Sequence, residues 1–214
     1  MKLEVLVADD HAIIRDGLRK ILADTDDLVV AGEAANGIAV MERVRARDWS
    51  LLVLDISMPG RNGLELIKLV KAERPKLPIL IFSMHHEEQY AVRAIRAGAS
   101  GYLSKEGDTD WLLPAMRKVA SGGIFISPKV AELLASDIAP QTQSNKPLHT
   151  LLTDREFDVF SRIVRGFGLT AIAEELSLSV KTVSTHKTHI LAKMNMSTQV
   201  DMVRYAIEHG LTDR

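Results

Sequence analysis

Leu51-Leu52-Val53-Leu54-Asp55, running on into Ile56-Ser57-Met58-Pro59-Gly60, is an uninterrupted aliphatic run that ends in a carboxylate and then in turn-forming residues. A strand this apolar on every position is expected to be buried on both faces, as in a parallel sheet covered by helices. Open α/β sheets place their ligands at the carboxyl ends of such strands, where Asp55 stands. Three other runs end the same way. Leu3–Ala8 leads into Asp9-Asp10, Ile79–Phe82 into Ser83, and Gly101-Tyr102-Leu103 into Ser104-Lys105. If these strands are parallel neighbours, Asp9, Asp10, Asp55, Ser83 and Lys105 converge on one rim.

Between the runs the period changes from strand to helix. Residues 11–23 place Ile14, Leu18, Ile21 and Leu22 on one helical stripe. Strand Leu28–Ala34, helix Ile38–Arg45, strand Leu51–Leu54, helix Leu64–Ala72, strand Ile79–Phe82, helix Glu87–Arg96, strand Tyr102–Ser104 and helix Trp111–Ala120 follow, and Gly122-Gly123 stops the last. Parallel strands require crossovers, so five βα units in succession predict a five-stranded parallel sheet wrapped by helices. Residues 1–123 form this first domain. Residues 124–147 read as a linker with a short helix over Pro128–Ser136, because residues 137–149 are polar, carry two prolines and lack periodicity. Residues 148–214 are helical throughout. Thr153 with Glu156 three residues on makes a capping box. Leu169–Leu176, a turn at Ser177-Leu178-Ser179, and Val180–Met194 make a helix-turn-helix. Ser197 is expected to cap a last helix, Gln199–Glu208.

Bulk properties narrow the function. The 214 residues are 46% hydrophobic with a formal net charge of -1, which excludes a generally basic nucleic-acid coat but leaves room for a local basic patch. There are no cysteines, hence no disulfide and no thiolate metal site, as suits a reducing cytoplasm. Glu4 and Asp9-Asp10 interrupt any signal-peptide pattern, and no apolar stretch is long enough to span a membrane.

The acidic rim has its own chemistry. Clustered carboxylates repel one another unless a cation neutralises them, and hard oxygen donors with no His or Cys among them favour Mg2+. Asp55 could then attack a phosphoryl group and form an acyl phosphate. The metal and Lys105 would offset the charge on the transferring group, and Ser83 could bond one of its oxygens. His85-His86 follow closely. Adjacent histidines rarely aim at one ion, so they read as rim residues, with His85 near enough to tune hydrolysis of an acyl phosphate.

On these residues the region 3–123 resembles the receiver domain of two-component response regulators, a flavodoxin-like fold, with Pro59 and Gly63 at the family's offsets from Asp55. The resemblance implies that Asp55 is the phosphoacceptor, Asp10 a direct Mg2+ ligand, Asp9 a ligand through water and the Ser57 backbone carbonyl a further ligand. It makes Ser83 the switch hydroxyl, Tyr102 the aromatic that moves with it, and Lys105 the contact to the phosphoryl group. Glu106 stands where many receivers have proline.

In the helical region, about 100° per residue from Ser179 puts Val183, Ile190, Leu191 and Met194 on one side of the second helix and Lys181, Ser184, Thr185 and Thr188 on the other. Residues 179–194 hold three lysines, two histidines and no acid. Such a helix can enter a major groove, with lysines on phosphates and hydroxyls on base edges. Thr182 and Lys187 complete the candidate contact set. Residues 148–212, through Leu152-Thr153-Asp154-Arg155-Glu156, Gly166, Ile172-Ala173-Glu174-Glu175-Leu176 and Leu178–His186, resemble the LuxR/GerE-type DNA-binding domain. With a receiver in front, the architecture is similar to the NarL/FixJ subfamily of transcriptional regulators, not to an enzyme.

The implied partners are a sensor histidine kinase, double-stranded DNA, a second copy of the chain and RNA polymerase. The family uses the last helix for the DNA-bound dimer, which points to Val200, Val203 and Tyr205. Leu169-Thr170-Ala171 replaces a polar run of the family, and Ser184 and Thr188 replace basic residues, so DNA affinity per monomer is expected to be modest and to depend on dimerisation. Three other readings of the residues stand beside this one. A magnesium-dependent hydrolase would turn over an added substrate, an adaptor would bind protein with its helical tail, and a phosphorylation-independent regulator would not need the complete acidic set.

Overall fold

The computed structural model describes residues 2–58, 63–85, 87–107, 109–138 and 147–212. Pro59, Gly60, His86 and the expected linker residues 139–146 lie outside these. The chain divides into two compact units, residues 1–134 and 135–214.

The first unit is built on strands β1 (Leu3–Ala8), β2 (Leu28–Ala34), β3 (Leu51–Leu54), β4 (Ile79–Ser83) and β5 (Gly101–Ser104), all parallel in the order β2-β1-β3-β4-β5. Every residue of β3 is fully buried, the outcome expected of an aliphatic run at the centre of a doubly covered sheet. Helices α1 (Ala12–Ala23) and α5 (Leu112–Ala120) close one face, where Leu18, Leu22, Leu112, Met116 and Val119 pack on Val5, Val7, Leu51, Val53 and Leu80. Strand alternation turns Leu6, Leu52, Leu54 and Ile81 to the opposite face. Helices α2 (Gly37–Ala46), α3 (Gly63–Glu73) and α4 (Glu87–Ala97) bury Val40, Val44, Ile67, Val70, Tyr90 and Ala94. One member of the predicted α1 stripe departs: Ile21 is exposed, because Leu18 and Leu22, one turn apart, already fill the contact with the sheet.

Gly63 begins α3 beside the loop that follows Asp55. A Cβ there would stand 2.4 Å from the Cα of Ile56, so only glycine lets the helix start this close to the rim. After α5 the chain returns along the free edge of β5: Phe125 donates its N–H to the Ser100 carbonyl (2.9 Å) and accepts from Tyr102 N–H (3.1 Å). Helix α6 follows over Pro128–Ile138, two residues longer than the sequence pattern suggests.

The second unit consists of a 3-10 turn (Leu148–Leu151) and helices α7 (Asp154–Val164), α8 (Leu169–Glu175), α9 (Val180–Lys193) and α10 (Gln199–Glu208) around Phe157, Phe160, Ile163, Ile172, Val183, Ile190 and Met202. The capping box at Thr153 and Glu156 forms as read from the sequence, and Ser179 caps α9 through Thr182 N–H. The cap of α10 is Thr198, not Ser197. Thr198 forms a second capping box with Asp201, a pairing that Ser197 is one residue too early to make. Leu191, expected in the core, is half-buried.

The turn between α8 and α9 passes through Ser177 at φ 53°, a left-handed conformation that costs a residue with a Cβ about 1 kcal/mol. Ser177→Gly is therefore expected to stabilise the second unit by roughly that amount, measured as slower amide exchange in α8 and α9 of the full chain.

Candidate functional site

Sheet register assembles the rim. Ala8 pairs with Leu54 across β1 and β3, so Asp9 and Asp55, each the next residue, leave the sheet side by side, and Asp55 N–H donates to the Ala8 carbonyl at 2.8 Å. Ser83 pairs with Ser104 across β4 and β5, and Lys105 N–H donates to the Ser83 carbonyl at 2.8 Å. Asp9 is 3% exposed and Asp55 2%, while Ser83 is fully buried.

The lysine closes the site. Its Nζ donates to Asp9 Oδ2 and to Asp55 Oδ2, each at 2.5 Å, with 4% of its side chain exposed. Burial pulls its pKa down, but Asp55 and then Asp9 outweigh burial and hold the ammonium above its ordinary value. The other carboxylate oxygens are also engaged. Asp55 Oδ1 accepts from Ser57 N–H at 2.8 Å, and Asp9 Oδ1 accepts from His11 N–H at 2.8 Å. Arg15 fixes the loop behind them, donating to the Asp9 carbonyl at 2.8 Å and to Glu33 at 3.0 Å. Asp10 is exposed at the mouth.

The switch candidates lie against this set. Ser83 Oγ is 3.3 Å from Ser57 Oγ, and the buried Tyr102 donates its hydroxyl to the His85 carbonyl at 2.8 Å. Burial drives the Tyr102 phenol well above its ordinary value, with Tyr90 and Asp55 adding to it, so it stays a hydrogen-bond donor. The His85 ring stacks on Tyr90 at 4.4 Å between centroids. Sequence reasoning left one neighbour out. His11 Nδ1 is 3.0 Å from Asp10 and 3.3 Å from Asp9, and one donor atom each from Asp9, Asp10, His11 and Asp55 lie within 4.8 Å of one another. The adjacency of His11 to the acidic pair was the available signal. Three carboxylates without a thiolate suit a hard dication.

In the second unit, Lys181, Ser184, Thr185 and Thr188 are exposed along one side of α9, as the helical wheel requires. Thr185 and Thr188 donate their hydroxyls to the carbonyls of Lys181 (3.0 Å) and Ser184 (3.2 Å). Two candidates serve the protein itself. Thr182 Oγ1 is 2.7 Å from Ser179 Oγ within the cap, and Lys187 donates to Gln199 at 3.0 Å. The opposite side of α9 is tied to α7. Buried Glu156 accepts from Lys193 at 2.6 Å as well as from its own cap, and Arg155 donates to the Leu176 carbonyl at 2.9 Å.

Of the dimer candidates, Val200 is 73% exposed and Val203 partly exposed, but Tyr205 turns inward. Its hydroxyl is 3.0 Å from His149 Nδ1 and its ring stacks on His209, so it fastens the 3-10 turn to α10. Ile207, 65% exposed and in phase with Val200 and Val203, takes its place on the outer face.

Residues 5–117 match the response regulator receiver domain, and residues 150–206 match the bacterial regulatory proteins of the luxR family. The chain is a DNA-binding two-component response regulator of the NarL/LuxR family. Similar proteins include the oxygen regulatory protein NreC of Staphylococcus carnosus, 35% identical over 99% of this chain and 100% of that one. NreC of Staphylococcus haemolyticus is 34% identical with the same coverage. Among solved structures, RcsB of Salmonella enterica serovar Typhimurium bound to promoter P1flhDC in the presence of phosphomimetic BeF3- has a TM-score of 0.68 at 27% identity, over 96% of this chain and 98% of that one. Among the described residues of this response regulator, no helix is long and apolar enough to cross a membrane.

His186 on α9 gives the regulator a pH-sensitive element. Burial, with Arg155 adding to it, holds its imidazole below the ordinary value of 6.5, and the opposing pull of Glu156 is smaller. The neutral ring is the folded form, so its contribution is full above about pH 6.5 and is lost as pH falls through the lower folded value. Amide exchange in α7 and α9 of the full chain is expected to quicken from about pH 7.5 to about pH 5.5, beyond the intrinsic change, and less so in His186→Gln.

Proposed function

We propose that Asp55 is the phosphoacceptor of this regulator, that the acidic rim holds Mg2+ for the transfer, and that the phosphorylated chain binds specific DNA sites as a dimer. The observation that carries this reading is Lys105 clasping the buried Asp9 and Asp55 together at 2.5 Å, with Asp10 exposed beside them. The buried lysine puts a positive charge beside Asp55, where a transferred phosphoryl group would add negative charge.

An Asp55 carboxylate oxygen would attack the phosphorus of the donor, a phosphohistidine of a sensor kinase or a small acyl phosphate. One P–O bond forms as the bond to the leaving group breaks. Mg2+, held by Asp10 and Asp55, by Asp9 through water and by the Ser57 carbonyl, would supply charge neutralisation on the phosphoryl oxygens. Lys105 gives up its carboxylate contacts for a phosphoryl oxygen, and Ser83 Oγ takes another. Tyr102, whose hydroxyl rests on the His85 carbonyl, then follows Ser83 and changes the surface around α4 and β5. The product is kept as a signal, so the chain does not turn over an added substrate.

In the second unit Lys181 would hold phosphate, with Ser184, Thr185 and Thr188 on base edges and Thr182 and Lys187 at the margin. Val200, Val203 and Ile207 would form the dimer contact on DNA. Cytoplasmic residence and contact with RNA polymerase follow from the same role.

DNA affinity is expected to rise about 5- to 150-fold on adding beryllofluoride to the wild type, the usual range of allosteric coupling, and not at all in Asp55→Ala. Equal binding by all forms, measured at fixed salt, would remove the switch. Lys105→Met is expected to cost about 3–5 kcal/mol of stability in metal-free buffer by leaving two buried carboxylates uncompensated. Mg2+ should restore more stability in that variant than in the wild type, measured by thermal unfolding.

A further inference from the structure

We propose that His11 is an additional ligand of the rim's cation, and that its imidazole shifts the site's preference from Mg2+ towards Mn2+ and similar first-row ions. This rests on the reading that the rim holds a divalent cation.

The position of His11 is imposed by the fold. It is the N-cap residue of α1, with extended backbone (φ -84°, ψ 110°), so its side chain leaves from the loop and not from the helix surface. Its N–H is pinned on Asp9 Oδ1 at 2.8 Å, which fixes the Cα beside the acidic pair. The side chain is 63% exposed, so packing does not force the ring inward. It nonetheless lies over the carboxylates, with Nδ1 3.0 Å from Asp10 Oδ1 and 3.3 Å from Asp9 Oδ1. The four donor atoms lie within 4.8 Å of one another, so the His11 nitrogen is within reach of an ion held by Asp10 and Asp55.

The donor chemistry sets the consequence. Mg2+ is bound through carboxylate and water oxygens and gains little from a nitrogen donor. Imidazole suits Fe, Ni, Cu and Zn best, and Mn2+, at the low end of the first-row affinity order, is the ion of that series nearest Mg2+ in its taste for oxygen while still able to take a nitrogen donor. The other arrangement open to the ring is a hydrogen bond from Nδ1–H to the carboxylates, which would leave the metal with oxygen ligands alone.

The test uses the full chain loaded with Mn2+ and read by pulsed electron paramagnetic resonance, alongside calorimetric affinities for Mg2+ and Mn2+. The expected results are a nitrogen hyperfine coupling in the wild type that disappears in His11→Ala, and a preference for Mn2+ over Mg2+ that falls several-fold in the variant. Because the side chain is exposed, the variant should fold, and amide exchange of α1 checks that. Bound Mn2+ without nitrogen coupling, or an unchanged preference in His11→Ala, overturns the proposal while leaving the cation site in place. Failure of both ions to bind overturns the proposal together with the reading of the rim.

Discussion

Lys105 Nζ sits between Asp9 and Asp55 at 2.5 Å from each, and the rest of the receiver is arranged around that contact. Two carboxylates at 3% and 2% exposure lie side by side and repel each other unless a positive charge stands between them. The lysine supplies it from β5, three strands away from β1. It can do so only because β1, β3, β4 and β5 end at the same height, which the parallel register guarantees. The resting site is thus satisfied but displaceable. In the proposed reaction a divalent cation would take over the neutralisation, and a phosphoryl group on Asp55 would offer the lysine a new acceptor. Gly63 and Arg15 serve the same end, the first letting α3 start against Ile56 and the second fixing the Asp9 carbonyl.

The helical unit uses a comparable economy of charge. Glu156 completes the cap of α7 and at the same time takes Lys193 from the end of α9. Arg155, its neighbour, holds the end of α8 through the Leu176 carbonyl. The helix that would read DNA is therefore tied from behind to α7 through Glu156, while the neighbouring Arg155 fixes the helix before it. The outward side of α9 is left to Lys181 and three hydroxyl-bearing residues. With so little positive charge on that side, phosphate anchoring per monomer is expected to be modest. An apolar outer face on α10, at Val200, Val203 and Ile207, fits a protein that gains affinity by pairing.

The sheet was legible because its strands are short aliphatic runs that end abruptly in polar residues. Asp55, Asp9 and Lys105 could be placed on one rim from that alone. Their contacts could not, since register across four strands decides which of them touch. The misplacements share a cause: where two readings of a residue differ by one position or one helical step, only packing chooses. Ser197 and Thr198 are both good caps, and Asp201 selects the second. Ile21 and Leu22 both fit the α1 stripe, and the sheet accepts the second. Tyr205 lies near the outward face of α10 by spacing, but its hydroxyl finds the 3-10 turn, a contact 56 residues away in sequence. His11 escaped notice because its role depends on backbone geometry at a helix cap, and Phe125 because an edge pairing of one residue leaves no period to read.

The central claim is that the clasped carboxylate at Asp55 is the group that takes the phosphoryl. The most direct measurement is borohydride reduction after incubation with a small acyl-phosphate donor, followed by mass spectrometry of the peptides. The account predicts reduction of the Asp55 side chain to the alcohol, dependent on both the donor and a divalent cation. Reduction at Asp9 or Asp10 instead, or no reduction in a chain shown to bind the cation, would contradict it.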